Sequence, residues 1–344
     1  MSLKDHLQDS LRLQKAPSPW PRMILCALSV TLPLVAGLIW NEQQSSIYGA
    51  LLGFSLILND HFGPLKKRIL HLLSSFASLA TAFLVGLLVA DSVWPLFPLL
   101  FLMAFILGKA KGIGLELERL LLFSTFQLLN ASLTPGLREI APNLLMYASL
   151  SLINYLICLC LVYLVMKHEP NFQKSKRQLL TEAFKKNESH RYAITLAAVS
   201  CVGLLLSYYF HVERAQWMVG TILIVMMPSK TLSYQRSFQR IFGTFIGVSL
   251  SSLLIYFRDD SLFLISFSAV ASFLAPLGLI KNYWLGNAFI AALIMFFLQF
   301  SHVGIIDTDV AILRIVDIGV GSVIGAIGTM IAFPDSLTRF FRKR

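Results

Sequence analysis

Apolar runs recur along almost the whole of this chain, and most are about as long as a lipid bilayer is thick. They cover residues 23–40, 69–89, 93–107, 120–133, 144–166, 194–210, 241–257, 262–280, 284–300 and 310–333, with two shorter ones at 46–58 and 217–227. A helix rises about 1.5 Å per residue and a hydrocarbon core is about 30 Å thick, so about 20 apolar residues cross it. Inside lipid every backbone amide needs a partner within the chain, which makes helices the expected element for these unbroken runs. Only 14% of the 344 residues are charged and 56% are hydrophobic, whereas soluble domains carry about 25% charged residues. The expected fold is therefore an all-α polytopic membrane protein with about 12 transmembrane segments.

The formal net charge is +11, and the position of the basic residues decides what that charge is for. With twelve spans and the N-terminus inside, all but four of the 29 Lys and Arg fall on one side; the four are Arg138, Arg214, Arg258 and Arg314. This bias places both termini in the cytoplasm. The basic excess is then topological, the lipid bilayer is the implied partner, and nucleic acid is not. The polar first 22 residues lead into an apolar run without a small-residue cleavage site, so no cleaved signal peptide is expected. Cys26, Cys158, Cys160 and Cys201 all lie in apolar runs without clustered histidines. Neither a disulfide framework, a metal site nor a cofactor is expected.

The two halves of the sequence echo each other. A shift of 172 lays Arg68 on Arg240, Lys109 on Lys281 and Gln127 on Gln299. Two parallel six-helix repeats follow, related by an axis near the membrane normal. The expected organisation is a cytoplasmic N-terminal segment (1–22), a first membrane repeat (23–166), a cytoplasmic linker (167–190), a second membrane repeat (191–333) and a basic cytoplasmic tail (334–344). Leu3, Leu7 and Leu11 recur every fourth residue, which suits a helix on the inner leaflet; a disordered tail is the alternative.

The two short runs are the most informative. About 12 residues cover only about 18 Å, and they occupy corresponding places as helices 2 and 8. They end in breaks, "NDHFGP" (59–64) and "PSK" (228–230). Short or broken helices at matched positions point to a transport site, because unwound backbone is tolerated at membrane depth only where it lines a cavity. An arginine follows each break, Arg68 and Arg240, at what reads as the start of a long helix, where the dipole favours an anion. Arg314 lies opposite the positive bias, with Asp317 three residues on along the same helix face. Asp317 is the candidate proton-coupling carboxylate. Gly243/Gly247 and Gly321/Gly325 suit close helix packing. Gln127 and Gln299 need hydrogen-bond partners in apolar helices, and lock helices together or line the path. Trp217 offers an aromatic face to a ligand. No P-loop, HExxH or GxSxG motif occurs, so an enzyme is not expected.

The stretch "QWMVGTILIVMMPSKTLSYQRSFQRIFGTFIG" (216–247) resembles the signature of the fusaric acid resistance protein-like family, or aromatic acid exporters, at Trp217, Thr221, Pro228, Arg236, Arg240, Gly243, Thr244 and Gly247. "RIVDIGVGSVIG" (314–325) resembles the family's final-helix motif. The resemblance implies a bacterial inner-membrane exporter of aromatic or other organic carboxylates, driven by protons and working with a periplasmic adaptor protein; a homo-oligomer is a further expectation. Many bacterial members carry a large cytoplasmic domain after the sixth or twelfth helix, where a 24-residue linker and a short tail are expected here. A passive anion channel, an importer of a chelating carboxylate, and a membrane scaffold or regulatory subunit are the alternatives.

Overall fold

The computed structural model describes residues 10–60, 64–90, 92–134, 144–165, 181–182, 189–301 and 308–333. The linker and tail expected at 167–190 and 334–344, and Leu3 and Leu7 of the expected surface helix, lie largely or wholly outside these residues. The named elements among the described residues are twelve helices: α1 (Trp20–Ile39), α2 (Gln43–Asn59), α3 (Leu65–Leu88), α4 (Val93–Ala110), α5 (Leu115–Leu133), α6 (Leu144–Val165), α7 (Ser189–Tyr209), α8 (Ala215–Val225), α9 (Lys230–Phe257), α10 (Ser261–Lys281), α11 (Tyr283–Ser301) and α12 (Thr308–Ala332). Nine of them are long and apolar enough to cross a membrane; α2, α5 and α8 are not among the nine. Of the two helices expected to be short, α8 is, with 11 residues, whereas α2 has 17, one fewer than α4 with 18, because the polar residues 43–45 extend it beyond its apolar run.

Helix starts differ from the apolar runs in one consequential place. The run opens at Ile241, but α9 begins at Lys230. Hydropathy marks only the part of a helix that is apolar, and the polar stretch 230–240 continues the same helix. At the other end of the break, the chain leaves α8 through Met226, whose backbone is extended, and Pro228 disfavours helix at the residue before it.

The chain divides into two compact units. One comprises residues 1–76, 139–171 and 239–315, and the other 77–138, 172–238 and 316–344. Neither coincides with a half of the sequence, because helices pair by complementary faces rather than by order along the chain. In the first unit α1 packs on α2, α6 and α10, α2 packs on α6 and α11, and α10 packs on α11. In the second, α7 packs on α8 and α4, α8 on α5, and α4 on α5. There too α12 meets α8 through Gly321 and α7 through Gly328. Adding six to each helix number of the first set, counted around twelve, yields the second.

The corners from α1 to α2 and from α7 to α8 are also alike. Asn41 (φ 56°) and His211 (φ 53°), 170 positions apart, hold the left-handed conformation, one that Asn and His adopt more readily than most residues. Glu42 N donates to Gly37 O at 2.7 Å and Asn41 N to Leu38 O at 3.4 Å. Val212 N donates to Ser207 O at 2.8 Å and His211 N to Tyr208 O at 3.3 Å. Both are the 6→1 plus 5→2 pattern of a Schellman cap, which satisfies the last carbonyls of a helix.

Candidate functional site

Arg68 sits on the first turn of α3 and is buried. Its Nε donates to Asp60 Oδ1 at 3.1 Å and its Nη2 to Asp60 Oδ2, so one carboxylate takes both arms of the guanidinium. The two side chains are 3% and 0% exposed. Arg22 Nη2 donates to Asp60 O at 2.6 Å, and His71 Nε2 lies 2.9 Å from Asn59 O. The broken end of α2 is therefore closed by cationic side chains and an internal acid. A fork-on-fork pair of this kind is among the stronger polar contacts a protein makes.

Arg240 stands differently. It lies about three turns inside α9, where the backbone N–H groups are engaged within the helix. The expectation that a helix N-terminus assists it is corrected by the polar extension back to Lys230. Arg240 is half-buried. Its Nη1 donates to Asn287 Oδ1 at 2.7 Å and lies 3.4 Å from the Tyr283 hydroxyl. Asn287 Nδ2 in turn donates to Arg240 O and to Thr244 Oγ1, both at 2.9 Å. Its Nε is buried without a hydrogen-bond partner, and among the described residues no carboxylate reaches it. The two arginines that a shift of 172 residues aligns thus differ in charge balance: Arg68 meets an acid, Arg240 meets an amide and a phenol.

Two glycines bring these partners together. A Cβ on Gly243 would overlap Trp284 O, and one on Gly247 would overlap Ala288 O. Only hydrogen at both positions lets the backbones of α9 and α11 touch, the close approach that small residues allow in membranes. That approach sets Asn287 against Arg240. In the second unit Gly321 and Gly325 play the same part between α12 and α8, against Met218 O and Val225.

The broken end of α8 is also closed. Lys111, at the corner after α4, is buried and donates through Nζ to Leu223 O at 2.6 Å and to Met226 O. Tyr192 donates its hydroxyl to Met226 O at 2.7 Å, and Met227 N donates to Ser233 Oγ at 2.8 Å. A cation at the last carbonyls of a helix is favoured by its dipole. On α8, Trp217 is half-buried and the Arg214 guanidinium lies 5.0 Å from its ring centroid.

Arg314 and Asp317 are both buried on α12, at 2% and 5% exposure. Gln127 on α5 and Gln299 on α11 are buried as well, in separate units. A cleft of about 340 Å³ in the second unit is lined by Ser92, Ser132, Ser207, Tyr208, His211 and Glu213 over Leu96 and Leu204. It has neither arginine nor lysine in its wall.

Sequence reasoning passed over Asp60, Asn287, Tyr283, Lys111 and Tyr192. Asp60 was read only as part of a break, although an acid eight residues before Arg68 was there to be noticed. Asn287 is a lone amide in the run 284–300, and an amide in apolar surroundings needs partners. Lys111 gave no signal, because its partners are carbonyls 112 and 115 positions away.

Residues 190–328 are similar to the fusaric acid resistance protein-like family, whose model they match. An uncharacterized membrane protein of Bacillus subtilis (strain 168), YvaC, is 29% identical over 158 residues, which make up 45% of this chain. The matched part spans only 23% of that relative, less than a quarter of its length. No solved structure matches the chain. With nine apolar helices of spanning length and a membrane relative, the chain is a multi-pass membrane protein.

Proposed function

We propose that this membrane protein, whose second half is fusaric acid resistance protein-like, is a secondary transporter that exports organic, chiefly aromatic, carboxylates across a bacterial cytoplasmic membrane. One observation carries the reading. Arg240 is a half-buried cation whose partners are neutral, while its counterpart Arg68 is matched by Asp60. A guanidinium held in place by Asn287 with an unmet charge favours a carboxylate from outside the chain. Arg68 then serves as the internal, neutralised member of the pair.

The duplicated plan belongs to the same reading. The six-helix shift that relates the packing partners, and the paired caps at Asn41 and His211, support two parallel repeats. The basic bias supports both termini in the cytoplasm. Asp317, buried on α12, is the carboxylate assigned to proton coupling, and the other buried polar groups, Arg314, Gln127 and Gln299, are assigned to the path. Trp217 is assigned a ring contact with the substrate. A periplasmic adaptor and self-association complete the assignment.

Benzoate flux in proteoliposomes, with and without an inward proton gradient, tests it. Gradient-dependent flux that Arg240→Leu abolishes is the expected result. Flux whose direction ignores the gradient indicates a passive anion channel, and no flux and no binding at all refutes transport.

A further inference from the structure

The segment at residues 10–14, just before α1, makes a set of contacts that anion binding does not use. Ser10 O accepts from Gln239 Nε2 at 2.7 Å and from Asn282 Nδ2 at 2.9 Å. Arg12 O accepts from Asn282 Nδ2 at 2.9 Å, and Leu11 O accepts from Trp284 Nε1 at 3.1 Å. Gln14 N donates to Lys281 O at 2.9 Å. Every one of these bonds ends on a main-chain atom of the segment, which leaves the helical conformation after Leu11, so the grip does not depend on what its side chains are. Gln239 Nε2 also donates to Asn282 Oδ1 at 2.8 Å, which ties α9 to the corner between α10 and α11 beneath the segment.

The location gives this strap its meaning. Gln239 precedes Arg240, and Asn282 and Trp284 flank Tyr283, so the donors that grip the strap alternate with the members of the Arg240 cluster. The strap and the cluster therefore share α9, about three turns into it, and the start of α11 with the corner before it. The grip is largely polar, with Leu11 half-buried beside it. Ser10 is buried, whereas Leu13 is 50% exposed and Arg12, Gln14 and Lys15 are exposed. A segment held by hydrogen bonds with little apolar burial belongs to the low-stability end of a fold and opens first.

We propose that residues 10–14 form a latch that holds α9 against α11 at the Arg240 cluster, and that its release admits the anion to Arg240. The inference rests on Arg240 being the anion contact. While the latch is docked the competent state is scarce, and the apparent affinity falls in proportion to that scarcity.

The test uses the full chain in nanodiscs and proteoliposomes, with a nitroxide on Leu13→Cys in a Cys160→Ser, Cys201→Ala background; Cys26 and Cys158 are buried. Gln14→Pro removes the N–H given to Lys281 O, and Trp284→Phe removes the indole N–H while keeping a ring against Phe242, 5.3 Å away. Each neutral bond shifts an equilibrium by about 2- to 12-fold. The double variant should mobilise the label and speed benzoate entry about tenfold, and Trp284→Phe alone should do so by a few-fold should the proline disturb folding. A label already mobile in the parent overturns the docked strap. A mobilised label with unchanged entry overturns the latch and leaves Arg240 as the anion contact. Benzoate binding that survives Arg240→Leu sinks the anion reading instead, and the label distinguishes that failure from the latch's.

Discussion

Arg68→Leu and Arg240→Leu remove the same chemical group from positions 172 residues apart that the sequence shift aligns, and they should fail in different ways. Removing Arg68 leaves Asp60, 0% exposed at its side chain, as an uncompensated buried charge. Breaking one side of a buried pair costs about 3 to 5 kcal/mol, enough to lower a melting temperature by about 10 °C. Arg68→Leu/Asp60→Leu, with both charges gone, should recover most of that loss, since apolar replacement of a whole buried pair is often neutral. Removing Arg240 breaks its bond to Asn287 at 2.7 Å and its longer one to the Tyr283 hydroxyl at 3.4 Å, while Asn287 keeps its contacts with Arg240 O and Thr244. The stability loss should be about 1 kcal/mol. Its ligand effect should be larger: a charge-assisted bond to a carboxylate is worth about 1.5 to 3 kcal/mol, or about 10- to 150-fold in affinity. Melting curves in nanodiscs and benzoate binding on the same samples read both quantities. An Arg240→Leu protein that binds benzoate like the parent, or an Arg68→Leu protein that keeps its melting temperature, would refute the distinction.

Gly247→Ala should destabilise by about 1 to 3 kcal/mol, because its Cβ meets the Ala288 carbonyl rather than a movable side chain. Gly319→Ala has nothing within 4 Å of its Cβ and should be neutral or stabilising by up to about 1 kcal/mol through helix propensity; equal melting shifts for the two would contradict the packing. Burial pushes the Lys111 ammonium from 10.5 down to about 8, with Glu118 opposing. The folded chain then binds fewer protons than the unfolded one between those values, and stability gains as pH rises through that window. The melting temperature of the parent should climb relative to Lys111→Met from about pH 8 to 10, and a difference flat in pH would count against the buried amine. Asp317→Asn should leave benzoate binding intact and abolish the dependence of flux on the proton gradient; flux that still follows the gradient removes Asp317 from that role.

How much could be read beforehand varies by element. The apolar runs located all twelve helices, since lipid demands internal hydrogen bonding and the side chains record it. Helix 8 was legible as short for the same reason, whereas α2 runs to 17 residues through a polar start that hydropathy does not mark. The start of α9 was not, because the polar residues 230–240 form helix without leaving a hydropathy signal. Arg240 was legible as an arginine next to an apolar run, but its difference from Arg68 was not. That difference lies in Asp60 and Asn287, eight and 47 positions away, and only folding brings them to their arginines.

The sequence by itself determined the solvent, the secondary structure and the glycine pairs, because each depends on the composition of one contiguous segment. Tertiary structure decided which cations are neutralised and which stay open. It also decided that the two compact units draw helices from both halves, and that residues 10–14 bond to Gln239 within α9 and to Trp284 at the start of α11. These are matters of partnership between distant segments, set by which helix faces fit and which backbone groups are left over, and chain order does not record them.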